Sequence, residues 1–157
     1  MSLGHFAPRG ELPDADLRSA SAIDADDVAA LLSEMGYPCT LPEARERIQL
    51  ITANDRQALV LARSGGRVCG LIALDFMYYL PLGSTTCRIT ALVVTSDAQG
   101  NGLGRQLLKE AERRARFAGA ARLELTSGSQ RADAHAFYKA CGFSDGTLRF
   151  IKRLGDA

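Results

Sequence analysis

Apolar positions recur along this chain with two different periods, and the switches between them predict the elements in order. Residues 17–23 (LRSASAI) alternate weakly, which suggests a short strand. Asp24 then precedes Val28, Leu31, Leu32 and Met35 at helical spacing, and Gly36 closes that helix. After Tyr37-Pro38 a second helix is expected from near Pro42, with Ala44, Ile48 and Ile51 on one face, so that a helical pair precedes the main strands. Residues 58–63 and 67–79 are apolar and β-rich, and Ser64-Gly65-Gly66 between them suits a hairpin turn. A third long strand is predicted over 86–95. A glycine-rich turn follows, then a helix with Leu103, Leu107, Leu108, Ala111 and Ala115 on one stripe. Through that helical crossover, 121–126 returns parallel to its predecessor. A helix over about 132–141 ends at Gly142, and the alternation of TLRFIKRL predicts a last strand over 147–154. The order of elements is that of an α+β fold with a mixed sheet.

At 157 residues the chain suits one domain, large enough to bury around two thirds of its unfolded surface. Residues 1–15 read as a leader that can stay disordered, and 16–157 as the single domain. Nineteen basic against eighteen acidic residues give a net charge of +1, with no basic block of the kind that tracks nucleic acid, so no nucleic-acid partner is expected. Arg113, Arg114 and Arg116 lie on a predicted helix and read as a solvated face. Cys39, Cys69, Cys87 and Cys141 form no CxxC pair and His5 lies far from His135, so no metal site is expected. No apolar run reaches the length of a membrane span and MSLGHFAPRG lacks a signal peptide's hydrophobic stretch. The expectation is a cytoplasmic protein with reduced thiols and no membrane partner.

The most informative segment runs from Val93 to Leu107, VVTSDAQGNGLGRQL: an apolar strand, a turn with three alternating glycines, then an amphipathic helix opened by an arginine. The first amides of a helix have no intrahelical partner and carry the positive end of its dipole, so anions settle there. Gly100, Gly102 and Gly104 remove every second side chain and let an anion approach those amides, with Arg105 adding a formal charge. Taken alone, the loop also reads as a tight strand-to-helix connection. A Walker A loop is excluded, because Gly104 is followed by Arg105 and Gln106 rather than Lys and Ser or Thr. The dinucleotide fingerprint spaces its glycines differently and sits early in a βαβ unit.

What remains is Gln-x-x-Gly-x-Gly, filled by Gln99, Gly102 and Gly104. This resembles the acyl-CoA loop of the GNAT N-acetyltransferase superfamily. The resemblance continues through ARLELTSGSQRADAHAFYKACGF, similar to that family's next strand and a helix ending in a Tyr and a Gly-Phe pair, and covers about residues 85–154. It implies a mixed, mostly antiparallel sheet with helices on both faces and a splayed parallel strand pair. It implies acetyl-CoA as cofactor, with Leu92, Val93 and Val94 beside the pantetheine arm and Gln99, Gly100, Asn101, Gly102, Leu103, Gly104 and Arg105 around the pyrophosphate. Ser127, Phe137 and Tyr138 would complete the cofactor site. The family often carries an Asn just after the strand ending at Thr126, which this chain replaces with SGSQRADAH, so Ser127, Ser129 or Arg131 would take over its hydrogen bonds.

A thioester is already activated, so acetyl transfer to an amine needs a deprotonated nucleophile, an oxyanion site and a proton for the leaving thiolate. No Ser or Cys here has a triad context. Direct transfer through a ternary complex is therefore expected, with Tyr138 as the acid by resemblance and His135 on the same helical face. Phe137 and Tyr138 also read as plain aromatic packing. Candidates for a base are Glu34, Tyr37, Asp75, Tyr78 and Tyr79; Asp75 interrupts the apolar run LIALDFMYY, where a carboxylate needs a partner or a role, or a solvent face. The acceptor would be a small-molecule or peptide amine. The alternative is a noncatalytic acyl-CoA-binding or regulatory module. A homodimer stays open, dimers being common in the family.

Overall fold

The computed structural model describes residues 15–126, 132–146 and 149–155. They fall into two compact units that divide between Thr126 and Ser127. The leader expected over 1–15 lies, apart from residue 15, outside the described residues.

In the first unit, five strands form one sheet in the order β1-β2-β3-β4-β5: β1 Asp16–Ser19, β2 Gln57–Ser64, β3 Arg67–Tyr79, β4 Ser84–Val94 and β5 Arg122–Leu125. All neighbours are antiparallel except β4 and β5. The weak alternation of 17–23 yields only the four residues of β1. A short 3-10 turn, Ala22–Asp24, takes over because Asp24 bonds the Ser21 N–H at 2.8 Å and folds the chain back. Asp24 is 4% exposed and also takes two hydrogen bonds from Arg18, at 2.8 and 3.0 Å. The Arg18 bonds hold its carboxyl below the usual carboxylate range against the opposing effect of burial.

That anchor starts α1, Ala25–Glu34, and after a short link α2 covers Leu41–Thr52. Thr40 and Glu43 cap α2 reciprocally, the Thr40 N–H donating to Glu43 and the Glu43 N–H to the Thr40 hydroxyl. Val28 and Leu31 of α1 and Ala44 and Ile48 of α2 pack with Leu59, Leu61, Leu71 and Ala73 of the sheet into one core. The opposite face is covered by α3, Leu103–Phe117, which buries all five apolar positions of its predicted stripe. Its outer surface carries ion pairs between Glu110 and both Arg113 and Arg114, and between Glu112 and Arg116. The Arg113 hydrogen bond is the main force that lowers the Glu110 carboxyl to about 2.

The second unit contains α4, Ala132–Ala140, closed at Gly142 with φ +96°. The strand expected over 147–154 is not formed: residues 149–155 hold no regular element, and 147–148 lie outside the described residues. Phe150, Ile151 and Leu154 are largely exposed. Alternation favours an extended chain, but a strand also needs a neighbouring edge to bond to, and this segment pairs with none among the described residues.

Candidate active site

β4 is two strands in one. From Thr86 to Ile89 it pairs with β5, Ile89 lying opposite Leu125. Toward β3, Ala73 pairs with Ala91 and Leu74 with Ile89, so Thr90 is an extra residue, a bulge. The bulge falls one residue after the last pair with β5, and β4 continues to Val94 with no β5 partner among the described residues. A bulge bends and twists its strand, and this one falls where the described pairing with β5 ends.

The Thr95 N–H donates to the Cys69 carbonyl of β3 at 2.8 Å. Backbone groups alternate along a strand, so those of Leu92 and Val94 face the opposite, open edge while those of Val93 face β3. The Val94 carbonyl on that edge accepts the side-chain amide of Gln99 at 3.1 Å. Gln99 therefore braces the loop over the end of the strand.

The loop is a 3-10 turn, Ser96–Ala98, followed by Gly100 with φ +82° and Gly102 with φ +76°. No atom lies within 4 Å of where a Cβ on Gly100 would stand, so the backbone is open to solvent there. Gly102 caps α3 without a side chain, and the first intrahelical bond runs from the Gln106 N–H to the Gly102 carbonyl at 3.1 Å. The amides of Leu103, Gly104 and Arg105 are thus left pointing outward without intrahelical partners. Asn101 is half-buried beside them and Arg105 is exposed. An exposed ion pair of Arg67 with Asp97, 2.8 Å long, ties the loop to β3. A strand edge with no partner among the described residues, followed by uncapped helical amides and an exposed guanidinium, fits an amide-bearing arm ending in a pyrophosphate.

Gly70 has a role that composition and periodicity did not signal. A Cβ there would stand 3.0 Å from the Val93 carbonyl and 3.2 Å from Leu107 of α3, so its absence lets helix and β4 close on β3. A glycine inside an otherwise apolar strand was the available clue.

The carboxylates and phenols expected on the acceptor side separate. Glu34, at the end of α1, accepts the backbone N–H of Ser96 at 3.2 Å and so joins the helical pair to the loop. Tyr37 is exposed and lines an apolar cavity of about 300 Å³ beneath α1 and α2, floored by Leu71, Ala73, Thr90 and Ala91. Asp75 is half-buried, opposite Arg88 in the β3–β4 register and two residues beyond Ala73 on the same sheet face. Arg88 is paired with Glu124 at 2.7 Å. Tyr78 turns to the other face, in a groove beside Arg113, Arg114 and Phe117. The Tyr79 ring lies 4.5 Å beneath the Arg122 guanidinium. Burial pushes the Cys87 thiol up to about 11, with the Asp75 charge adding to it, so this cysteine stays a thiol at neutral pH.

In the second unit, the Tyr138 ring lies 5.5 Å from that of Phe137 and 6.0 Å from that of Phe143. The Phe143 N–H donates to the Tyr138 carbonyl at 3.0 Å, which folds the Gly-Phe pair back on the helix end. Ser127, Ser129 and Arg131 lie outside the described residues. No helix among the described residues is long and apolar enough to cross a membrane.

Residues 25–143 match the Acetyltransferase (GNAT) family. The chain is 33% identical over 144 residues to an aminoalkylphosphonate N-acetyltransferase of Salmonella typhimurium, covering 91% of this chain and 94% of the relative. Among solved structures, a transcriptional regulator from Bacillus halodurans superposes with a TM-score of 0.82 at 25% identity, covering 89% of this chain and 99% of that one. A GNAT family acetyltransferase from Staphylococcus aureus gives 0.77 at 24% identity, covering 89% and 98%. The chain belongs to the acetyltransferase (GNAT) family and is an acetyl-CoA-dependent N-acetyltransferase of it.

Proposed function

We propose that this enzyme transfers the acetyl group from acetyl-CoA directly to a primary amine, cofactor and amine being bound together. The observation that carries the reading is the course of β4: its described pairing with β5 ends at the Thr90 bulge, and the strand leads straight into a loop of uncapped helical amides. Acetyl-CoA would supply the activated acyl group. Leu92 and Val94 would bond its amide-bearing arm through the open strand edge, with Val93 lining it. Gly100, Asn101, Gly102, Leu103, Gly104 and Arg105 would hold the pyrophosphate, with Gln99 bracing the loop. Phe137 and Ser127 would flank the cofactor, and Tyr138 would protonate the departing thiolate. The acceptor enters from the face covered by α1 and α2, where Asp75 is the carboxylate proposed to attract the ammonium and take its proton.

The relative from Salmonella acts, by its name, on aminoalkylphosphonates. Short amines of that class are the first acceptors to offer. The test combines two measurements. Calorimetric titration of acetyl-CoA, with ATP as the control ligand, should show micromolar binding of the first only. Release of free thiol, followed on mixing the complex with a panel of primary amines, should then be amine-dependent. Binding without thiol release for any amine would favour a noncatalytic acyl-CoA-binding module, and equal binding of ATP would reduce the loop to a general phosphate site.

A further inference from the structure

The cavity beneath α1 and α2 has one charged residue in its lining, Arg47. The rest is apolar apart from Tyr37 and Thr90, and the Thr90 hydroxyl is turned to the Ala73 carbonyl at 3.4 Å. Arg47 sits on α2 one position before the buried Ile48, and it is exposed at the edge of α2 while contributing to the cavity lining. One turn earlier, Glu43 accepts the Thr40 N–H at 2.8 Å, and the Arg47 charge adds to the bonds that hold its carboxyl below the ordinary range. Arg47 makes no hydrogen bond or ion pair among the described residues, whereas seven other arginines of this unit are paired with carboxylates through Asp24, Asp97, Glu110, Glu112 and Glu124.

The floor of this cavity includes Ala91, the residue immediately before Leu92 on the open edge of β4. A molecule seated in it therefore borders both the bulge, through Thr90 and Ala91, and Arg47. Asp75 lies on the same sheet face, two residues or about 7 Å beyond Ala73. A guanidinium at one end and a carboxylate toward the other complement a molecule with an anion and an ammonium on a short spacer. At about 300 Å³ the cavity is at the small end of ligand sites, too small for a folded peptide terminus with several side chains.

We propose that Arg47 binds the anionic end of the acceptor, and that the enzyme selects short amines carrying a phosphonate or carboxylate opposite the amino group. The inference rests on the acetyl-transfer reading above and adds to it the residue that sets acceptor class. A guanidinium matches both anions through paired N–H donors, and such charge-assisted bonds are stronger than neutral ones.

The test compares 2-aminoethylphosphonate, β-alanine and propylamine, three amines of similar length that differ in the far end. The wild-type enzyme should favour the two anionic amines over propylamine in kcat/KM by at least about 30-fold, in line with a charge-assisted hydrogen bond. The ratio between the two anions reports which one the site prefers. In Arg47→Ala the preference should collapse toward unity, mainly through KM, and Arg47→Lys should restore part of it. Acetyl-CoA titration on each variant establishes that the fold and the cofactor site are intact. A wild-type enzyme indifferent to the anion, or a preference that survives in Arg47→Ala, would overturn the proposal. Calorimetric binding of 2-aminoethylphosphonate to the CoA-loaded protein separates the two readings. Binding that is lost in Arg47→Ala, with no thiol release in the wild type, would sink the transfer reaction but leave Arg47 as the anion site.

Discussion

The two sides of the β4 bulge are built by different means. On the proposed cofactor side the parts are backbone: a strand edge without a partner among the described residues, two glycines with positive φ and the first amides of α3, all within one stretch of sequence from Leu92 to Arg105. On the proposed acceptor side the parts are side chains from distant stretches of the chain: Tyr37 after α1, Arg47 on α2 and Thr90 on β4 in the cavity lining, and Asp75 on β3 beyond it. Backbone geometry tolerates few residue types, so the cofactor side is rigidly specified and intolerant of change. A cavity lined by side chains can be recut by substitution, which is how one scaffold serves many acceptors.

The largest effect should come from breaking the backbone-built side. Gly102→Val puts a β-branched residue at φ +76°, at the cap of α3, and its side chain into the space over the amides. Strain and blockage together should weaken acetyl-CoA binding by about 100-fold or more, roughly 3 kcal/mol. Calorimetry measures it, with circular dichroism to establish the fold. Affinity within a few-fold of wild type would mean that the cofactor does not use this loop.

Next is the chemistry that both sides serve. If Tyr138 protonates the thiolate, Tyr138→Phe should lower kcat by about 100-fold, the usual range for a lost general acid, while leaving the acetyl-CoA Kd within about two-fold. A parallel fall in kcat and affinity would assign Tyr138 to packing with Phe137 and Phe143 instead.

The same contrast decides what could be read from the sequence. Gln99, Gly102 and Gly104 are close neighbours, and Gln99 bonds the Val94 carbonyl while Gly102 sits at φ +76°, so their spacing carries the motif locally. The stripe from Leu103 to Ala115 is equally local, and all five positions are buried. Asp75 stood out because it interrupts an apolar run, but its neighbour Arg88 is set by cross-strand register, which a sequence does not display. Nothing in the sequence singled out Arg47, because the cavity it lines with Ile48 exists only after α2 docks on the sheet. The bulge at Thr90 has no signature at all: it is a mismatch between two registers. The final alternation, TLRFIKRL, misled for the converse reason, since a correct local pattern formed no strand over its described residues 149–154.

The acceptor side can be loosened without touching either ligand. Asp24→Asn removes the charge that Arg18 grips at the start of α1. Arg18 is partly exposed, which reduces the cost below that of a fully buried pair, and a loss of about 2 kcal/mol is expected in denaturant unfolding at neutral pH. The carboxyl is held below its ordinary range in the folded chain, so its contribution is present above the unfolded pKa and disappears as pH falls through the folded one. Below about pH 4 the variant and the wild type should therefore converge in stability. A gap that persists at low pH would mean that packing, not the ionised pair, anchors the helix.

The smallest effect is expected at the one hydrogen bond that links the two sides. Glu34 accepts the Ser96 N–H at 3.2 Å, and a residue so placed is either a tether for the loop or a base reaching toward the amine. The two roles respond differently to the same pair of substitutions. Glu34→Gln keeps an oxygen acceptor and removes the charge, whereas Glu34→Ala removes both. A tether predicts that the Gln variant keeps kcat within about two-fold while the Ala variant weakens acetyl-CoA binding by about three-fold to ten-fold, the worth of one exposed hydrogen bond. A base predicts the reverse order of severity in kcat, with both variants losing at least about 100-fold and the acid limb of the pH–rate profile vanishing in each. The observed bond to a backbone amide at the head of the cofactor loop favours the tether. On that account the helical pair also holds the loop from behind, so that an acceptor cavity recut by evolution still has to preserve the end of α1.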